Sequence, residues 1–196
     1  MARRQATIPR MVPATASELR PAPVHRLTVE DVYKMAAAGV LDENARIELV
    51  QGVLIDMVPI GAEHDGAVEW LNEFLLSVRD RSWRVRVQST LLIEGGYLLP
   101  DLIVVEPLPR SRQPTTALLV VEVAQTSQAR DREKAHDYAS ADVPEYWIVD
   151  LAARKVIVHR RPLAGGYDEV VTYSDGDSLQ PLLDAAPTVA VSELLG

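Results

Sequence analysis

The stretch ALLVVEVAQ, residues 117–125, places Glu122 in a run where seven of nine residues are apolar. So short a run, rich in β-branched Val, predicts a strand buried on both faces of a sheet. A lone ionised carboxylate there would shift its pKa by roughly 3–5 units and go neutral. Glu122 therefore lies at the wet end of the strand or meets something positive.

The flanking segments set the class. Before it, YLLPDLIVVEP (97–107) is a second apolar run, joined to the first by the Pro-rich residues 107–114. After it, SQARDREKAHDYASAD (127–142) predicts a helix capped by Ser127, and PEYWIVDL (144–151) a further buried strand. RKVIVHRR (154–161) and YDEVVTYS (167–174) predict an antiparallel hairpin around Ala164-Gly165-Gly166.

Towards the N-terminus, WRVRVQSTLLIE (83–94) predicts one strand, and HDGAVEWLNEFLLSVRDR (64–81) an amphipathic helix with Val68, Leu71, Leu75 and Val78 on one face. ARIELVQGVLIDMVP (45–59) is strand-like with a turn at Gln51-Gly52, and LTVEDVYKMAAAG (27–39) is a helix capped by Thr28. The order gives an α/β (α+β) fold with a mixed central sheet flanked by helices. Length allows one domain over 28–196, preceded by a flexible basic arm over 1–27.

Residues 1–27 hold five arginines and one acid, whereas residues 28–196 hold 15 basic and 27 acidic residues, a net of −12. Such a body opposes tight non-specific binding of nucleic acid unless basic residues cluster locally. They do so at Arg79, Arg81, Arg84 and Arg86, at Arg130, Arg132 and Lys134, and at Arg154, Lys155, Arg160 and Arg161. The chain has no cysteine, which removes disulfides and thiolate metal sites and fits a reducing, cytoplasmic setting. No run approaches the ~18 apolar residues of a membrane helix.

Asp101 interrupts YLLPDLIVV as Glu122 interrupts its own run, 21 positions later. If the two strands pair, the carboxylates converge, and like charges at close range need a cation between them. Without thiols, the hard ion Mg²⁺ is the natural choice, with Mn²⁺ as a substitute, and the Val123 backbone carbonyl can add a ligand. Pro100 denies a ladder hydrogen bond just before Asp101. Lys134, one of only three lysines, lies four residues before Tyr138 and can reach back to the sheet to position a water or support phosphorane-like charge. His64 and His136 could serve as ligands or bases, but lone histidines more often fill surface or satisfied polar roles, and Trp70 and Trp147 fit the core.

LLPDLIVVE together with LLVVEVAQTSQARDREKAHDYASADVPEYWIVD resembles the Uma-type restriction endonuclease family of the PD-(D/E)XK nuclease superfamily, over about Leu27–Leu151. The resemblance implies a restriction-endonuclease-like core, Asp101 and Glu122 as metal ligands, Lys134 as catalytic lysine and Glu48 as an auxiliary acid. The superfamily's lysine two residues after the second acid is absent, since Ala124 stands there, and Lys134 on the next helix would replace it. These readings give an expected Mg²⁺-dependent endonuclease hydrolysing DNA phosphodiester bonds, with Arg84, Arg86 and Arg130 on the DNA backbone and a homodimer suited to cutting two strands. The alternatives are a catalytically inactive nuclease-fold protein that binds nucleic acid or a protein partner, and a glycosidase-like hydrolase using paired acids.

Overall fold

The structure, a computed structural model, describes residues 24–196 except 43, 59, 79–81, 125–127 and 185, and it leaves the side chains of 128–132 undescribed. Most of the arm, Arg79, Arg81, Ser127 and the side chains of Arg130 and Arg132 thus lie outside the described residues.

Helix α1 (Val29–Ala37) begins at a capping box: Thr28 accepts from the Asp31 N–H, and the Asp31 carboxylate accepts from the Thr28 N–H. Strands β1 (Ile47–Val50) and β2 (Val53–Asp56) form a two-residue hairpin. Its loop residues Gln51 and Gly52 both have positive φ, 50° and 74°, the twist such hairpins require. Helix α2 (Ala62–Val78) follows and buries His64, Ala67, Val68, Leu71 and Leu75 along one stripe.

The next two expected strands are each broken in two. The first becomes β3 (Arg84–Val87) and β4 (Leu91–Ile93); the second becomes β5 (Gly96–Leu98) and β6 (Leu102–Val105). They are the arms of one long hairpin that passes from one sheet to another, β4 pairing with β5 and β3 with β6. One arm breaks at Gln88, whose φ of 47° leaves the extended region, and the other at Pro100, which has no N–H for a ladder. Period-two alternation cannot reveal the second break, because β5 and β6 are buried at every position.

Strand β7 (Leu119–Ala124) is buried at all six positions, as its sequence demands. Helix α3 (Gln128–Ser140) then crosses to the parallel strand β8 (Glu145–Asp150), and β9 (Lys155–Leu163) and β10 (Gly166–Ser174) complete a six-stranded mixed sheet of order β10-β9-β8-β7-β6-β3. The smaller sheet has order β2-β1-β5-β4. A short ladder of β11 (Ser178–Leu179) and β12 (Val189–Ala190) leads into α4 (Val191–Leu195).

Alternation divides the core between the faces of the large sheet. Leu102, Val104, Val121, Val123, Trp147 and Val149 pack with Ala67, Val68, Leu71 and Leu75 of α2. Ile103, Val105, Val120, Ala124, Tyr146 and Ile148 pack with Ala135 and Tyr138 of α3 and with Leu91 and Leu98 of the small sheet. Glu122 shares its parity with Val120 and Ala124, so it points to the α3 face. Trp147 is core as expected, whereas Trp70 is half-buried and stacks on Phe74 at 5.4 Å.

Candidate active site

The β6–β7 ladder ends with Leu102 opposite Val121; continued in the same register it would set Asp101 opposite Glu122 and Pro100 opposite Val123. In a regular ladder Pro100 would donate to the Val123 carbonyl, and it cannot. The Val123 N–H turns instead to Asp101 Oδ2 at 2.9 Å. The ladder thus stops at Leu102, and Pro100 supplies no donor to the Val123 carbonyl.

Glu122 is 4% exposed, and the positive group it needs is Lys134. Lys134 Nζ donates to Glu122 Oε1 at 2.8 Å and lies 3.0 Å from Glu48 Oε1. The Tyr138 hydroxyl donates to the same Glu122 oxygen at 2.5 Å. The four-residue spacing of Lys134 and Tyr138 is what sends both from α3 to one carboxylate. Glu48, fully buried on β1, also accepts the Leu99 N–H at 3.1 Å. Burial disfavours the Lys134 ammonium, yet the charges of Glu122 and Glu48 and the hydrogen bonds to both outweigh it and push the pKa well above the usual lysine value. Burial and the Glu122 charge raise Tyr138 in the same direction, so its phenol stays a donor.

Asp101 has a partner that sequence reasoning passed over. His64 Nε2 lies 2.9 Å from Asp101 Oδ2, and since a carboxylate only accepts, the imidazole is the donor. Burial alone would lower the His64 pKa; the bond to Asp101 and the charges of Asp101 and Asp65 more than reverse this and raise it. The clue was in the sequence: His64 precedes Ala67, Val68, Leu71 and Leu75 at helical intervals, so it belongs to the buried stripe of α2. His136 is exposed.

The expected residues separate into two groups. Lys134 joins Glu48 and Glu122, and Asp101 is tied to the backbone N–H of Val123, the residue after Glu122. Arg84 donates to its neighbour's carbonyl, Trp83 O, at 2.8 Å, and Arg86 lines a different cavity. The Arg130 side chain lies outside the described residues.

The donor set suits a hard cation. Both described bonds to Asp101 use Oδ2, which leaves Oδ1 for a ligand, and Glu122 and the Val123 carbonyl add only oxygen. Among the described residues no three or more His, Asp and Glu side chains form a metal cage. A divalent ion would rest on two carboxylates and a carbonyl and retain water, as Mg²⁺ does.

Residues 29–191 match the model of the Uma2 family, described as "Putative restriction endonuclease". The chain belongs to the Uma2 family. The fold has a close relative in the crystal structure of a protein described as "a putative nuclease belonging to DUF820" from Anabaena variabilis ATCC 29413, at TM-score 0.71, 16% identity and 86% coverage of this chain and 97% of that one. At that identity the likeness speaks for the fold, a restriction-endonuclease-like mixed sheet flanked by helices. The type IIG restriction endonuclease BpuSI matches at TM-score 0.37 and 18% identity, over 57% of this chain and 13% of that one. No curated protein matches the chain. In this Uma2 protein no described helix is long and apolar enough to cross a membrane.

Proposed function

We propose that this Uma2 protein is a Mg²⁺-dependent endonuclease that hydrolyses phosphodiester bonds in DNA, with Asp101, Glu122 and the Val123 carbonyl holding the ion. The observation that supports the reading is that the Asp101 carboxylate accepts the N–H of Val123, the residue after Glu122, while Lys134 donates to Glu122 itself. A divalent ion bound there polarises a phosphate oxygen and lowers the pKa of a water.

The chain's own residues do the rest. His64 fixes the Asp101 carboxylate through Oδ2 and so sets the direction of Oδ1. Tyr138 and Lys134 together fix Glu122 Oε1. Lys134, held as ammonium by two carboxylates, cannot take a proton at neutral pH; it donates hydrogen bonds to a water or a phosphate oxygen and offsets charge as the phosphorus becomes five-coordinate. Glu48 keeps that ammonium charged and aimed.

A plasmid-nicking assay tests the reading. Nicking that requires Mg²⁺, is supported by Mn²⁺ and disappears in Asp101→Ala is expected. Nicking that survives chelation, or that Asp101→Ala leaves unchanged, would overturn it. The second reading, a nuclease-fold protein that binds without cutting, is favoured by the net charge of −12 over residues 28–196. Binding of DNA with no Mg²⁺-stimulated nicking would select it.

A further inference from the structure

Beside the large sheet's β3 edge lies a cavity of about 580 Å³ lined by Tyr33, Arg86, Leu92, Arg110, Arg112 and Gln113, among others, with no acid in its wall. In a body carrying −12 this is a local reversal of sign. On the β9–β10 side three arginines are matched: Arg154 with Asp175, Arg160 with Glu145, and Arg161 with Asp168 and Glu169. Arg86, Arg110 and Arg112 form no ion pair with any described residue. Three like charges facing one space repel, an arrangement an anionic ligand relieves.

The wall is built, not loose. Arg112 N–H closes a turn onto Pro109 O at 3.0 Å, Leu92 N–H on β4 donates to Pro114 O at 2.9 Å, and the Tyr33 hydroxyl of α1 donates to Gln113 Oε1 at 3.0 Å. These three ties hold residues 109–114 from both sides and present Arg110 and Arg112 beside Arg86. The Tyr33 ring, about half exposed, offers an apolar face in the same space.

Position completes the argument. Arg86 pairs with Ile103, which is two residues from Asp101. On strand geometry the Arg86 and Asp101 backbones are roughly 8 Å apart, one strand across and two residues along. We infer that Arg86, Arg110 and Arg112 form a phosphate site for the nucleic-acid backbone, gripping phosphates that flank the one presented to Asp101 and Glu122. The choice of nucleic acid rests on the nuclease reading above; the anion site itself rests on the unpaired arginines. Guanidinium forks match phosphate oxygens bidentately, and an adjacent aromatic face accepts a base.

The test measures binding apart from cleavage. The full chain is titrated in EDTA against a short fluorescein-labelled DNA duplex by anisotropy at several salt concentrations. Arg110→Ala/Arg112→Ala is expected to bind more weakly, with a log–log salt slope shallower by about 2, as for two lost phosphate contacts. Arg110→Lys/Arg112→Lys is expected to keep most of the slope, and Arg161→Ala, an exposed arginine elsewhere, to change nothing. Wild-type protein that fails to bind, or an alanine pair indistinguishable from Arg161→Ala, would overturn the site. Arginine-dependent binding without Mg²⁺-stimulated nicking would sink the nuclease reading and leave the site standing; nicking indifferent to Arg110 and Arg112 would do the reverse.

Discussion

Lys134 on α3 and Glu48 on β1 are 86 residues apart in sequence, yet Lys134 Nζ lies 3.0 Å from Glu48 Oε1 while also 2.8 Å from Glu122 Oε1. One buried cation thus serves two buried anions from different sheets. Replacing it with an apolar isostere removes the ammonium that both buried carboxylates share. Lys134→Met is expected to lower the unfolding free energy by about 3–5 kcal/mol, read from a urea transition, and to abolish nicking. Adding Glu48→Gln and Glu122→Gln to it should restore much of the stability and none of the activity.

Tyr138→Phe isolates one hydrogen bond with almost no change in shape. The phenol donates to a charged, buried oxygen, so its loss should cost about 1–3 kcal/mol in urea unfolding. Because Lys134 still holds Glu122, nicking should be slowed and not eliminated. Full activity in Tyr138→Phe would show that Glu122 needs no second anchor.

Gly96 on β5 lies hard against β1: a Cβ there would sit 1.8 Å from Leu49 O. Leu49 follows Glu48 on β1, so forcing the strands apart would also pull Glu48 from Lys134. Gly96→Ala is expected to be severely destabilising, by about 3 kcal/mol or more, in thermal or urea melts. Gly39→Ala, where a Cβ meets nothing within 4 Å, should show only the smaller strain of its φ of 69°.

Stability should fall steeply in alkali. Lys134, Tyr138 and Tyr167 all have pKa values raised in the folded state, Tyr167 by burial. Each keeps its proton when folded and loses it when unfolded above about pH 10, so its contribution is complete below that pH and is lost as pH rises towards the folded value. Above pH 10 each such group steepens the decline by about 1.4 kcal/mol per pH unit. Tyr167→Phe should make the decline shallower by one such increment in urea melts at increasing pH. An unchanged slope would mean that Tyr167 titrates alike in both states.

Substituting His64 with Gln separates positioning from ligation. Gln can donate to Asp101 Oδ2 from a similar reach, whereas Ala cannot. Mn²⁺ binding, followed by the ion's paramagnetic effect on water relaxation, is expected to weaken in His64→Ala and to recover partly in His64→Gln. Equal affinity in all three proteins would remove His64 from the site.

Local pattern made much of this protein legible from its residues alone. The β-branched run around Glu122 requires a buried strand, the spacing of Lys134 and Tyr138 fixes one helix face, and a buried Glu122 calls for a positive partner, because each follows from chain periodicity and the cost of burying charge. Tertiary structure alone decided where the long hairpin breaks between sheets, that Glu48 shares its cation with Glu122, that His64 holds Asp101, and that Arg86 leaves the acids for a cavity with Arg110 and Arg112. Those outcomes depend on contacts between segments tens of residues apart, whose register and packing are set by the whole sheet topology, and no local periodicity carries that information.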